Sequence, residues 1–161
     1  MKRMLVVVLS LALLLIGSVP AGAQATKTPY TSVIVFEEVI DPGTVRVTPS
    51  GMLFVRGEVT TASDVFTIEG EEFPGDLTLT TNVNLNLETL QGVLYGTYEL
   101  DVPGLDTWTG TFRGVITGGL SSGTYVGHGV AGTKDMGSWT EVEPGVLHAE
   151  GELLLPPGTT G

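Results

Sequence analysis

The 161-residue chain carries 18 acidic residues against 7 lysines and arginines, a net charge of −11, and has no cysteine. A chain that negative repels nucleic acid and anionic membrane surfaces, so neither is expected as a partner. Disulfide and thiolate chemistry are excluded outright, and the fold must be held by packing and backbone hydrogen bonds.

The first element in chain order is a targeting segment. Met1-Lys2-Arg3 is basic, residues 4–16 are almost unbroken aliphatic, and Ala23-Gln24-Ala25 is a small-x-small site. Cleavage after Ala25 is expected. Residues 1–25 then form a signal peptide, 26–155 a single β-barrel domain, and 156–161 a flexible tail behind Pro156-Pro157-Gly158. The alternative, an uncleaved anchor, would need a longer apolar run. The product is expected to be secreted or periplasmic. It keeps five basic residues (Lys27, Arg46, Arg56, Arg113, Lys134) against all 18 acidic ones.

The remainder reads as strand after strand. Residues 30–40 are rich in Val, Ile and Phe and stop at Asp41-Pro42-Gly43. A short run at 44–48 ends at Pro49-Ser50-Gly51, and runs at 52–60 and 65–69 flank Thr61-Ala62-Ser63-Asp64. An acidic connection with Pro74-Gly75 leads to residues 77–88, LTLTTNVNLNLE. There Leu77, Leu79, Thr81, Val83, Leu85 and Leu87 alternate with Thr78, Thr80, Asn82, Asn84, Asn86 and Glu88, which predicts one apolar and one wet face. Twelve residues extend about 40 Å, the reach of a barrel wall. Further runs follow at 92–101, 107–117, 123–133, 138–142 and 146–155, each closed by a Gly- or Pro-containing turn. No run shows a capped 3.6-residue apolar stripe. The expected class is all-β: an antiparallel up-and-down barrel of eight to ten strands, calycin-like, with some runs being halves of one bent strand. Glycines inside these runs supply points at which a small barrel coils.

Trp108, Gly110, Phe112, Gly114 and Ile116 share one strand face, where large and small residues interleave as an interior surface requires. Met52, Phe54, Arg56 and Glu58 share another, as do Ile34, Phe36, Glu38 and Ile40. If the aromatic faces point inward, Phe36, Phe54, Arg56, Glu58, Trp108 and Phe112 line the barrel, with the charges either paired inside or placed at a wet mouth.

Other constellations are weaker. Gly127-His128-Gly129-Val130-Ala131-Gly132 matches G-x-G-x-x-G, but no helix follows, so it reads as a glycine-rich strand and no dinucleotide cofactor is expected. Glu69, Glu71, Glu72 and Asp76 cluster without the spacing of a calcium loop. His148, Glu150 and Glu152 alternate along the last run with His128 on another, a set that reads as a solvent face rather than a metal site. No Gly-x-Ser-x-Gly elbow or cysteine nucleophile is present, and no catalytic residue can be named. Neither metal nor cofactor is called for, and nothing sets the oligomeric state.

The stretch Trp108-Thr109-Gly110-Thr111-Phe112-Arg113-Gly114 resembles the Gly-Thr-Gly-Lys-Phe/Tyr-x-Gly strand of allene oxide cyclase-like and dirigent-like barrels. Trp108 and Thr111 replace the first Gly and the Lys. The resemblance implies an eight-stranded calycin-like barrel whose cavity takes a hydrophobic small molecule. Three functions follow: a non-enzymatic binder of an apolar molecule, a cyclase or isomerase in the same cavity using Arg56 and Glu58, or a ligand-free envelope-associated scaffold. A membrane barrel is a variant of the third, with its apolar face toward lipid. Membrane insertion is not expected, because few aromatics are available for interfacial girdles.

Overall fold

Residues 25–156 are described by a computed structural model. Apart from Ala25 and Pro156, the expected signal peptide and tail lie outside the described residues. The described chain has no helix. Its strands are β1 Thr26–Asp41, β2 Thr44–Val47, β3 Met52–Ile68, β4 Glu71–Asn86, β5 Gln91–Val102, β6 Asp106–Thr117, β7 Leu120–Gly129, β8 Lys134–Glu143 and β9 Val146–Leu155. All neighbours pair antiparallel in a meander, and β1 closes the sheet by pairing with both β9 and β3. β2 continues the line of β1 along β3, since Asp41 faces Val59 and Thr44 faces Arg56. The two are halves of one bent strand, so the wall is a closed eight-stranded barrel.

Two expected connections are strand. Residues 61–64 belong to β3, because Ala62 and Asp64 continue the inward phase that Phe66 occupies. Residues 134–137 open β8 rather than forming a turn, and the turn falls at 130–133 instead. The acidic connection also shrinks: only Glu69 and Gly70 turn, at φ 53° and 87°, while Glu71, Glu72 and Asp76 lie on β4.

Inside, apolar and aromatic side chains dominate. Tyr30, Phe66, Leu77, Leu100, Val102, Trp108, Trp139, Leu147 and Leu153 are all buried in one cluster. Outside, β5, β6 and β9 present Thr97, Glu99, Asp101, Thr109, Thr111, Glu150 and Glu152, with Val93, Tyr95 and Val115 exposed on the same faces nearer the rim. Glycines receive the interior aromatics. A Cβ on Gly127 would lie 2.2 Å from Tyr98 Oη, and one on Gly123 2.3 Å from the Trp139 ring. These positions hold the space that rings from other strands fill, which a side chain would deny them.

The two ends differ. At one end Trp108 stacks on Phe66 and donates its indole N–H to Thr133 Oγ1 at 2.7 Å. Thr133 in turn donates to Asp106, which also accepts from the Ala131 and Thr107 amides. Burial raises the Asp106 carboxyl, but these donors outweigh it and hold it below the usual carboxylate range. This network pins the β7–β8 turn, and Trp108, Phe66 and Val102 close the barrel there at 1% exposure each. The opposite end carries the irregularities. Extra residues bulge β1 between Phe36 and Glu38 and between Val39 and Asp41, β3 between Val55 and Glu58, and β8 between Glu141 and Glu143. Bulges bend and twist a strand locally, and here they shape an open rim.

The run 77–88 meets this geometry unevenly. Leu77 is buried, and Leu79 and Val83 face inward but are half-buried because they line the open part of the barrel. The expected contrast with Asn82, Asn84 and Asn86 is absent, since these are half-buried too. Asn82 accepts from the Gly57 amide and Asn84 from the Arg56 guanidinium, so the β3 bulge covers that stretch of outer wall. Leu87 lies past the strand end and is exposed.

Candidate functional site

The barrel encloses a cavity of about 360 Å³. It reaches from the buried Phe66 and Asp135 up to Val39, Glu58, Gly119 and Glu141 at the bulged rim, where Val39 is 52% exposed. It is therefore blind at the Trp108 end and open at the other. Its walls are mainly Ile34, Phe36, Leu79, Val83, Leu94 and Phe112, with Trp139 against Phe112 edge to face at 5.9 Å between centroids.

The floor is polar. Asp135, on β8, is 1% exposed and accepts from Tyr30 Oη at 2.5 Å and Tyr98 Oη at 2.9 Å. Tyr125 Oη lies 2.5 Å from Tyr30 Oη. Burial first, and the Asp135 charge second, push all three phenols upward, so they remain protonated donors. Burial raises the Asp135 carboxyl, and the Tyr30 and Tyr98 bonds draw it partly back. Asp135 is in this way a satisfied buried acid.

Asp64 is different. It sits on β3 at 3% exposure, and Ser32 on β1 at 4%, both on the cavity wall. Burial drives the Asp64 carboxyl up to about 7; the neighbouring Ser32 hydroxyl eases it down and the Asp135 charge pushes it further up. The hydroxyl is close enough to act on the carboxyl, yet neither Asp64 Oδ1 nor Ser32 Oγ completes a hydrogen bond within the protein. An unsatisfied buried oxygen costs about 1–3 kcal/mol, so an incompletely paired acid and hydroxyl on cavity-lining residues point to an external partner.

Of the residues named from sequence, Phe36, Glu58 and Phe112 border the cavity. Trp108 faces inward but is sealed beneath it, held by Thr133 and Phe66. Phe54 and Arg56 face outward. Val55 occupies the inward phase opposite Val83, and the bulge at Arg56-Gly57, with Gly57 at φ 69°, shifts the phase so that Glu58 turns in while Arg56 does not. Arg56 instead donates to the Val55 and Val83 carbonyls and to Asn84, with its guanidinium 5.4 Å from the Phe54 ring centre. The bulge after Phe36 acts likewise on Glu38: it pairs with the outward Thr61, and Val39 takes the inward phase. Burial raises the Glu58 carboxyl at the rim. Also at the mouth, Glu141 accepts from the Ser121 and Gly145 amides.

The turn signals of the sequence place Asp64 and Asp135 in connections and give the tyrosines no role. The signal lay in phase: Asp64 is two residues from Phe66 and Asp135 four from Trp139, each on an aromatic face.

The weaker constellations disperse. Among the described residues no three His, Asp or Glu side chains converge on a point. Gly127 and Gly129 make room for Tyr98 and Asp106, and Gly132, at φ 83°, turns the chain toward β8. Compared with protein-family models, curated proteins and solved structures, the chain matched none.

Proposed function

We propose that this chain is an exported barrel protein that holds one small apolar molecule in its blind cavity. The observation that carries the reading is the cavity itself: about 360 Å³ with hydrocarbon walls, one open end and a few buried polar groups. That size and lining fall within the range of small-ligand sites. At roughly 30 Å³ per non-hydrogen atom, the occupant has about a dozen such atoms.

The apolar core lies inside the barrel, and the outer wall carries Glu99, Asp101, Glu150 and Glu152 along with exposed Val33, Val35, Val93, Tyr95 and Val115; the acids on that wall support a barrel that works in water. A lipid-embedded barrel carries its apolar band outside. Secretion or delivery to a periplasm rests on the signal-peptide pattern of residues 1–25. The likeness of residues 108–114 to allene oxide cyclase-like and dirigent-like barrels points to the same use of the cavity.

The test is native mass spectrometry of protein purified without detergent from its own host. A co-purifying mass of a small apolar compound is expected, released on unfolding. Trp139 provides a second readout, because it lines the cavity whereas Trp108 is sealed below it. An apolar probe should shift Trp emission saturably, Trp139→Phe should abolish the response, and Trp108→Phe should preserve it. Protein that carries no small molecule and responds to no probe would return the scaffold reading to first place.

A second reading, cyclase or isomerase chemistry in the same cavity, draws on Asp64. A cavity-facing acid held at about 7 suits proton transfer near neutral pH. Under that reading the compound released from wild-type protein is a mixture of isomers that Asp64→Asn protein does not produce.

A further inference from the structure

We propose that the molecule this cavity takes ends in a hydrogen-bond donor, an alcohol or a protonated amine, seated at the Asp64 carboxyl beside Ser32. This rests on the cavity being a binding site, as argued above. Asp64 is 3% and Ser32 4% exposed, both line the cavity, and neither Asp64 Oδ1 nor Ser32 Oγ completes a hydrogen bond within the protein, the Ser32 hydroxyl being only near enough to ease the Asp64 carboxyl down. The neighbouring acid is no substitute, because Asp135 is already engaged by Tyr30 and Tyr98.

The sign of the lining makes the same demand. Asp64, Asp135, Glu58 and Glu141 border the cavity, and no Lys, Arg or His does. An amphiphile ending in a carboxylate would bring a like charge into a low-dielectric pocket next to Asp64, with no cation to meet it. A ketone or ester end offers only acceptors to the ionised Asp64 carboxylate and leaves it unpaired. A hydroxyl can donate to the Asp64 carboxylate and accept from the Ser32 hydroxyl at once. An ammonium can donate to both oxygens and neutralise the acid. The hydrocarbon then runs past Leu79 and Phe112 toward the rim, where Ile116 and Val39 continue the apolar wall.

Four probes of matched length separate these cases at about pH 8.5, above the Asp64 carboxyl at about 7: 1-nonanol, nonylamine, 2-decanone and nonanoate, each titrated below its aggregation limit while Trp139 emission and binding heat are followed. The alcohol and the amine should bind about tenfold more tightly than the ketone, the difference expected when a buried polar group is paired or left unpaired, and nonanoate should bind weakest. Asp64→Asn should remove most of the amine's advantage, and Ser32→Ala should weaken the alcohol. Circular dichroism of each variant establishes that the barrel is intact. If the ketone or nonanoate binds as tightly as the two donors, or if both variants keep the wild-type ranking, the donor-end assignment is wrong while the cavity remains a binding site. If none of the four binds saturably, the binding reading itself fails.

Discussion

Asp64 makes the barrel's stability depend on pH in a direction opposite to that of an ion-paired carboxylate. Its carboxyl stands at 3.8 in an open chain and rises to about 7 in the fold, chiefly through burial. The folded protein therefore holds a proton that the unfolded chain releases between these values. Stability contributed by that proton is complete below about pH 4 and is lost as pH rises through 7. At about 1.4 kcal/mol per pH unit the total approaches roughly 4 kcal/mol, a large share of the 5–15 kcal/mol typical of a domain. Asparagine at position 64 keeps the size and stays neutral. Asp64→Asn should match wild type near pH 4 and exceed it by up to roughly 4 kcal/mol at pH 8. Asp135, also raised, adds a slope of the same sign, and Asp106, lowered, one of the opposite sign. Both remain in the variant and cancel to first order in the difference. Urea unfolding followed by Trp emission at unit steps from pH 4 to 8 measures the gap. A gap that stays constant across the range would show that Asp64 is solvated or paired in the folded state, and the argument for an open acid on the cavity wall would go with it.

Tyr98→Phe removes one donor from the buried Asp135; it should destabilise by about 1.5–3 kcal/mol, more at pH 8 than at pH 4, because the lost bond serves the ionised form. Gly127→Ala places a methyl 2.2 Å from Tyr98 Oη, which is tied to Asp135, and should cost roughly 2–3 kcal/mol in a thermal melt. Gly70→Ala, where a methyl meets nothing within 4 Å and only φ 87° opposes it, should cost about 1 kcal/mol; equal losses at the two sites would mean that ring packing is not what Gly127 protects. Intact-mass measurement of exported protein should show a chain beginning at Thr26, and a retained Met1 on membrane-bound material would overturn the export reading.

The alternation of residues 77–88 was enough to foresee an all-β wall with Leu77 and Leu79 facing in, because period two is a local property of the extended backbone. Turn chemistry was legible for the same reason at Asp41-Pro42-Gly43 and Gly118-Gly119, whose glycines need positive φ. The phase across a bulge was not legible. One inserted residue reverses every side chain beyond it, so Arg56 and Glu58, two positions apart and alike in pattern, end on opposite faces. Nor could the chain show that Asp64 and Ser32, or Asp135 with Tyr30 and Tyr98, share a floor. Those groups meet only because β1 returns to pair with β3 and β9, and no local pattern encodes the register of that closure. The sequence determined which strands have an apolar side; barrel closure decided which acids that side would enclose and which of them would be left without a partner.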